Sequence, residues 1–432
     1  MRIRDVVILT QYFAPESGAP SVRLMAMARE LQKLGIRVRV ITGMPNYPLG
    51  VVYPEYRGRF TAREEINGVP IRRVWLYPAS GRKVIKRLLN YLSFTITSGV
   101  ALALEDRADL IFVEAQPITL AIPAWAVSVA RGIPYVYNTP DLQVEHAADD
   151  RWISVRWLIR AAATIERKLM RDAACVTTVT HAFIDHFHRK YRIPKERLTF
   201  LPNGADTATL RPLPPDEDLA QRLGVAGKKA FTYAGTMAAY QGLEVLIDVA
   251  ERLRHRSDLV ILMIGTGPVK EDLVQAAKAR GLSNIVFRTS PFEEMSQLMS
   301  ITTASLVVLR PMEISRKMRL SKAIPPMACG VPVIYAGWGE TSDLIAHEQV
   351  GLVVEPGNPD EIAYAITQLA DDDRLAKELG QRGRRVAERE LSWNFLVSDW
   401  LRQLDLALAG KDPHVPPPGT RAPAADGVCS VP

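Results

Sequence analysis

Cysteine is scarce: Cys175, Cys329 and Cys429 are the three present in 432 residues. An odd, widely spaced set gives neither a disulfide framework nor a metal-ligand spacing, and it makes a reducing cytoplasm the default compartment. Long apolar runs are lacking too. The best candidate for a membrane span, Leu88 to Leu104, reads LLNYLSFTITSGVALAL. It is shorter than the ~20 residues a span needs and is interrupted by Asn90, Ser93, Thr95, Thr97 and Ser98, so a buried or interfacial helix is expected there. No secretory signal is read at the start, where MRIRDVVILT runs as a strand into a glycine loop. Zinc-finger spacing, an RNA-recognition motif and a helix-turn-helix signature are missing, which argues against nucleic acid as a partner. The first glycine loop is not G-x-G-x-x-G, which removes the nicotinamide fingerprint at that position.

What is present is an ordinary globular composition, 47% hydrophobic and 23% charged, in a chain long enough for two domains of roughly 200 residues. The formal charge of +7 is unevenly placed. Residues 1–205 carry 29 Lys+Arg against 18 Asp+Glu, whereas residues 206–432 carry 25 against 29. The first half therefore favours anionic partners, and an anionic bilayer face or a polyphosphate-linked lipid fits it, at ~1 kcal/mol for each Lys or Arg near such a surface.

The most informative stretch is 309–345, LRPMEISRKMRLSKAIPPMACGVPVIYAGWGETSDLI. A strand ending at Leu309 leads through Arg310, Arg316, Lys317 and Arg319 into a short helix around Lys322 to Cys329. A second strand, Val331 to Ala336, then ends in a Gly-Trp-Gly turn that opens a helix at Glu340. This is a βαβ unit with cations and a glycine turn at the carboxyl ends of parallel strands, the edge where anionic nucleotides are held. The first-turn amides at Gly339, Glu340, Thr341 and Ser342 offer a seat for a diphosphate, with Lys322 or Arg319 adding full charge. A solvated basic loop followed by a helix cap is the competing reading.

Elsewhere strands, glycine turns and helices alternate. Val6 to Thr10, a loop holding Gly18, a helix from Ser21 to Leu34 and the strand Val38 to Thr42 form one βαβ unit; Gly18 sits where a backbone approaches a phosphate or simply turns. Met44 to Arg63 reads as a long Pro/Gly/Tyr-rich loop. Arg82, Lys83, Lys86 and Arg87 precede the apolar helix, a pattern shared by interfacial membrane contacts and amphipathic core helices. After the strand Tyr135 to Asn138 comes TPDLQVEH, where Asp141 and Glu145 either take a proton from a substrate hydroxyl or cap a helix. Prolines between 202 and 215 mark a linker. Beyond it Gly235, Gly265 and Gly267 each follow an apolar strand, as in a second doubly wound sheet. Asp371 to Asp373 falls in a helix connection and reads as a cap, not a metal site. The tail from Lys411 is Pro-rich and expected to be disordered.

The segments APESGAPSVR, TPDLQVE, LPNGAD, YAGTMAAYQGLEVLI, IGTGP and LSKAIPPMACGVPVI with GWGETSDLI, in that order, resemble family 4 of the retaining glycosyltransferases over about residues 4 to 408. The nearest resemblance is to the branch that builds bacterial surface polysaccharides, similar to N-acetylfucosamine and colanic-acid transferases. It implies an α/β GT-B fold: two doubly wound Rossmann-like domains facing a central cleft, 1–205 for the acceptor and 206–388 for the nucleotide sugar. A helix at 389–410 would cross back to the first domain, with a disordered tail at 411–432. It also implies transfer, without metal or other cofactor, from a UDP-linked amino- or deoxysugar to a lipid-linked saccharide at the inner face of the cell membrane.

Carried onto this chain, the resemblance places Gly18 against the donor's phosphate and sugar and makes Asp141 and Glu145 the acidic pair of the acceptor side. Gly265, Gly267, Pro291 and Phe292 would border the base, Gly235 and Thr236 the diphosphate loop, and Lys322 and the Glu340 to Ser342 amides the diphosphate. Departures are visible. Thr236 and Gln241 stand where many relatives have Arg and Lys; Lys317 and Pro325 stand where they have a pair of glutamates. An epimerase of sugar nucleotides and a non-catalytic derivative are the rival expectations.

Overall fold

The computed structural model describes residues 3–16, 18–47, 49–79, 84–141 and 156–414. Glu145, His146, Arg82, Lys83, Trp152 and the tail from 415 onward lie outside the described residues. Two compact units divide the chain. One comprises Met1–Val179, Ile184–Leu201 and the chain from Val397; the other comprises Thr180–Phe183 and Pro202–Leu396.

The first unit is built on an eight-stranded sheet: β1 Asp5–Leu9, β2 Arg37–Gly43, β3 Thr61–Ile66, β4 Val69–Val74, β5 Leu110–Glu114, β6 Tyr135–Thr139, β7 Cys175–Thr178 and β8 Leu198–Phe200. Their spatial order is β3-β4-β2-β1-β5-β6-β7-β8, and every pairing is parallel except the β3–β4 hairpin. β1 and β5 are buried along their whole length, as a parallel sheet covered on both faces requires. The order reverses between β1 and β5, so the crevice of this sheet lies beyond Leu9 and Glu114.

β3 corrects the expectation of loop from Met44 to Arg63. Its residues TAREEI alternate between exposed and half-buried, and it pairs on one side only, with β4, so it lacks the apolar run that marks the inner strands. The hairpin turn is Asn67-Gly68, with φ of 51° and 80°, left-handed values that asparagine and glycine tolerate best.

The second unit carries a six-stranded, all-parallel sheet in the order β11-β10-β9-β12-β13-β14. Its strands are β9 Lys229–Ala234, β10 Leu259–Ile264, β11 Ile285–Arg288, β12 Thr302–Val308, β13 Val333–Ala336 and β14 Gly351–Val354. Alternate residues feed two cores. Leu259, Ile261 and Met263 of β10 join one with Phe231 and Leu306, whereas Val260, Leu262 and Ile264 join the other with Ala230 and Val307. Each buried Val, Leu, Ile, Phe or Met here contributes roughly 1.5–3 kcal/mol, and β10, which feeds both cores, reads as an unbroken apolar run, LVILMI.

The last helix, Trp393–Leu408, starts in the second unit, where Trp393 N donates to Ala205 O (3.2 Å). From Val397 it belongs to the first. There Trp400, fully buried, meets Phe112 edge-on with centroids 5.5 Å apart, and its Nε1 donates to Thr177 Oγ1 (3.1 Å). Gln403 brackets Phe200, accepting from its amide (2.8 Å) and donating to its carbonyl (3.2 Å). Among the described residues no helix is long and apolar enough to cross a membrane.

Candidate functional site

In the second unit the strand order reverses between β9 and β12, so the segments leaving these two strands flank the crevice where an open α/β sheet takes a ligand. β9 ends in Gly235 and β12 leads to Arg310 and the basic loop. Lys322 stands on a short turn, Ser321–Ala323, that feeds the helix Ile324–Ala328, whose first turn holds Pro325. Proline is accepted there because the first-turn amide has no intrahelical partner to lose.

The Lys322 stem lies across Gly235. A Cβ on that glycine would overlap Lys322 Cε and sit 3.1 Å from Cδ, so any side chain at 235 would displace the lysine from this path. With the Gln241 amide turned so that its nitrogen donates to Val308 O (3.2 Å), its oxygen accepts from Lys322 Nζ (3.2 Å). Gln241 is fully buried, and among the described residues no carboxylate pairs with Lys322. Desolvation without a counter-charge holds the Lys322 ammonium at about 8, below its ordinary 10.5.

The other four cations differ in what they hold. Arg310 is paired to Glu244. Arg316 lies over the Trp338 ring at 4.1 Å, with Glu313 3.5 Å away. Arg319 pairs with Glu340 at 3.7 Å; burial pushes its guanidinium below the ordinary value, and Glu340 opposes that shift. Among the described residues Lys317 makes no hydrogen bond or ion pair. The sequence left open which of the four is available, and these pairings single out Lys317 beside Lys322.

The helix Glu340–His347 follows Gly339, whose φ of 84° is left-handed and whose missing side chain makes room for the Arg316 carbonyl. The first intrahelical bond runs from Asp343 N to Gly339 O (3.1 Å), ahead of which lie the amides of Glu340, Thr341 and Ser342. The side chains of this turn face other tasks. Thr341 Oγ1 accepts from Leu320 N (3.0 Å) and ties the basic loop to the helix. Ser342 Oγ donates to Gly339 O (2.6 Å). Glu340 Oε1 accepts from Ala182 N (2.9 Å), and burial raises its carboxyl pKa despite that bond and Arg319.

Gly265 and Gly267 lie on the next strand's loop, where φ is 142° and 156°. A Cβ on either would strike the carbonyl of Gly235 or Met237, so these glycines are accounted for by two loops stacked backbone to backbone. Met237 N to Thr266 O (2.8 Å) and Gly235 N to Ile264 O (2.9 Å) bind the loops together. Thr236 is exposed, its carbonyl accepting from Tyr233 OH (2.6 Å). Pro291 and Phe292 follow β11, and the Phe292 side chain is half exposed.

Gly18 and Asp141 belong to the first unit. Gly18 caps the helix Ala19–Lys33 with an extended φ of −71°, and a Cβ on it would make only an ordinary 3.5 Å contact with Tyr47. Neither its backbone nor its protein neighbours demand glycine. Asp141 follows β6, where its carbonyl accepts from Thr139 Oγ1 (2.8 Å). The sequence reading passed over a buried set at the crevice of this sheet. Arg23 Nη2 meets Glu114 Oε1 at 2.5 Å, Asn138 Nδ2 donates to the other Glu114 oxygen (2.5 Å), and Glu16 accepts from the amides of Phe13, Asn46 and Tyr47. The available signal was a carboxylate closing the fully buried run LIFVE.

No three His, Cys, Asp or Glu side chains gather as metal ligands among the described residues. Asp372 caps the helix Asp373–Glu390 through Leu375 N (2.9 Å), and Asp371 and Asp373 pair with Arg256 and Lys229.

Residues 18–204 match the family described as Glycosyl transferase 4-like domain, and residues 216–386 match Glycosyl transferases group 1. The chain is 30% identical to the alpha-D-kanosaminyltransferase of Streptomyces kanamyceticus over 50% of its own length. That match spans 56% of the relative, less than two thirds of it. It is 28% identical to the putative colanic acid biosynthesis glycosyl transferase WcaI of Escherichia coli (strain K12), covering 68% of this chain and 74% of WcaI. In fold it is similar to HepE of Anabaena, solved with UDP and glucose, at a TM-score of 0.68 and 18% identity over 94% of this chain and all of that one.

Proposed function

Since the chain belongs to the family 4 glycosyltransferases of GT-B fold, we propose that it moves a sugar from a UDP-linked donor to a lipid-linked saccharide in surface-polysaccharide synthesis. On this reading the second unit takes the donor's diphosphate at Lys322, with Lys317, which makes no ion pair among the described residues, as a second cation and the Glu340 to Ser342 amides as neutral donors. The observation that carries it is the Lys322 ammonium: a partly buried cation without a carboxylate partner, held by Gln241 at the reversal point of the sheet. A cation kept in low dielectric and without a counter-ion gains most when an anion arrives, and glycosyl transfer leaves a diphosphate as the bond to the anomeric carbon breaks. Charge stabilisation by these groups needs no metal, and the Asp371 to Asp373 carboxylates are already committed to a cap and two ion pairs. Retention is expected with the family. Asp141, with Glu145, would orient the acceptor hydroxyl on the first unit.

The WcaI likeness supports a place in polysaccharide synthesis, and the surface of the first unit fits a lipid-linked acceptor presented at the inner membrane face. The helix Val84–Ala103 buries Asn90, Phe94, Ser98 and Ala101 on one side. Ile85, Leu88, Leu92, Ile96 and Val100 form an exposed stripe on the other, with Ile85 73% and Ile96 66% accessible. Apolar residues at that spacing with Lys86 and Arg87 at one end make an interfacial contact.

The expected result is release of UDP from a UDP-sugar only when membrane acceptor lipid is present, measured over a panel of UDP- and GDP-sugars. Epimerised sugar without acceptor, or no release across the panel, would replace this reading with one of its rivals. A pH test follows from Lys322. The free protein loses this proton as pH rises through about 8, so UDP affinity should fall above that value. Bound diphosphate restores the charge, so titrations about one pH unit higher should show proton uptake in buffers of different ionisation enthalpy. The free protein changes the other way: a lowered cation pKa means stability rises between about 8 and 10.5.

A further inference from the structure

The loop between β2 and β3 encloses a cavity of about 480 Å³ in the first unit, within the range of small-molecule sites. Met44, Val52, Phe60 and Trp75 give it apolar walls, and Arg57 and Arg59 stand on it. Met44 follows β2 and Trp75 follows β4, so the cavity opens at the carboxyl end of the sheet, the end that carries the crevice. Phe60 stacks on Trp75 (5.9 Å, 9° between planes) although it is 68% exposed, leaving an aromatic wall open to a ligand.

The two arginines are not equivalent. Arg57 Nε donates to Val52 O (3.1 Å) and braces the loop. The exposed Arg59 side chain has no hydrogen-bond or ion-pair partner among the described residues. The wall is also fastened to the helix that bears the apolar stripe, since Thr97 Oγ1 donates to Trp75 O (2.7 Å) and Tyr77 N to Ser93 Oγ (2.8 Å).

A concave apolar lining with a free guanidinium on it, bonded to a helix with an exposed apolar face, matches a ligand that is apolar along its length and anionic at one end. We infer that this cavity binds the first isoprene-like segment of one lipid diphosphate, with Arg59 on its phosphates and the stack of Phe60 and Trp75 along its chain. The inference rests on the lipid-linked acceptor proposed above and gives it a place. A concave site of this volume fits a single chain better than the broad face of a bilayer does, so binding is expected from a monomeric probe in the absence of membrane.

The test is calorimetric titration of the full-length protein with farnesyl diphosphate, with UDP held at saturation so that the second unit's site is filled. Farnesol and inorganic diphosphate are titrated in parallel. Farnesyl diphosphate should bind at least about tenfold more tightly than either, and Arg59→Ala should weaken it about tenfold, the effect of losing a charge-assisted hydrogen bond. Phe60→Ala, at an exposed position, should weaken it less. Equal binding of diphosphate alone would make this a phosphate site and overturn the lipid assignment. Equal binding of farnesol would overturn the role of Arg59, as would an unchanged Arg59→Ala. No binding of farnesyl diphosphate while UDP binds normally would sink this inference alone; loss of UDP binding by the wild-type protein would sink the donor-site reading instead.

Discussion

Replacing Lys322 by alanine is expected to lower acceptor-dependent transfer by about 10²–10³-fold, the loss that follows removal of one donor aimed at a developing charge. The reason lies in what surrounds it. Arg310, Arg316 and Arg319 are engaged by Glu244, Trp338 and Glu340, so none supplies its charge without giving up an existing contact. Because the diphosphate gains charge as the sugar departs, the loss should fall mainly on kcat, with a smaller rise in KM. Folding should be little affected. The ammonium sits in a place that disfavours its charge, so its removal ends a desolvation cost, and among the described residues the Gln241 oxygen is the polar partner left over. Lys317→Ala, at a cation that no buried amide holds in place, should lose less than Lys322→Ala. A Lys322→Ala protein retaining more than about a tenth of the activity contradicts the assignment.

Trp400→Ala is expected to destabilise the first unit by about 3–5 kcal/mol, the range for emptying a buried aromatic site. The indole is fully buried against Phe112, and Thr177 Oγ1 would lose its donor. Trp400→Phe keeps most of the apolar volume and loses the hydrogen bond, so it should cost about 1–2 kcal/mol plus some slack in packing. Denaturant midpoints followed by far-UV circular dichroism measure both. If the midpoint for Trp400→Ala stays where the wild type's is, the last helix does not close the first core.

The strands read most directly from the sequence are those buried on both faces. Leu110–Glu114 and Leu259–Ile264 fall where their apolar runs place them, because a doubly covered parallel strand leaves few polar residues to blur the signal, and the edge strand Ile285–Arg288 is legible from its short IVF run. Thr61–Ile66 and Gly351–Val354 were missed. Each lies at a sheet edge; the first alternates with charge, and the second is four residues long beside a glycine turn. The donor-side motif was legible as a basic loop before a glycine turn. The fate of its cations was not, since Arg310 finds Glu244 and Lys322 finds Gln241 across long sequence separations. Glycine was the most ambiguous letter. Gly235, Gly265 and Gly267 follow from contacts within the protein, whereas Gly18 has no such cause.

The first unit is discontinuous in the chain, since its core is completed by a helix near residue 400 that is made after the entire second sheet. A ribosome therefore releases the strands of the first sheet long before it makes the tryptophan that seals them. Domains of most chains mature in the order they emerge. Here the N-terminal one must wait with an open seam, and a stop codon anywhere before residue 400 would damage the half of the protein that had already been translated.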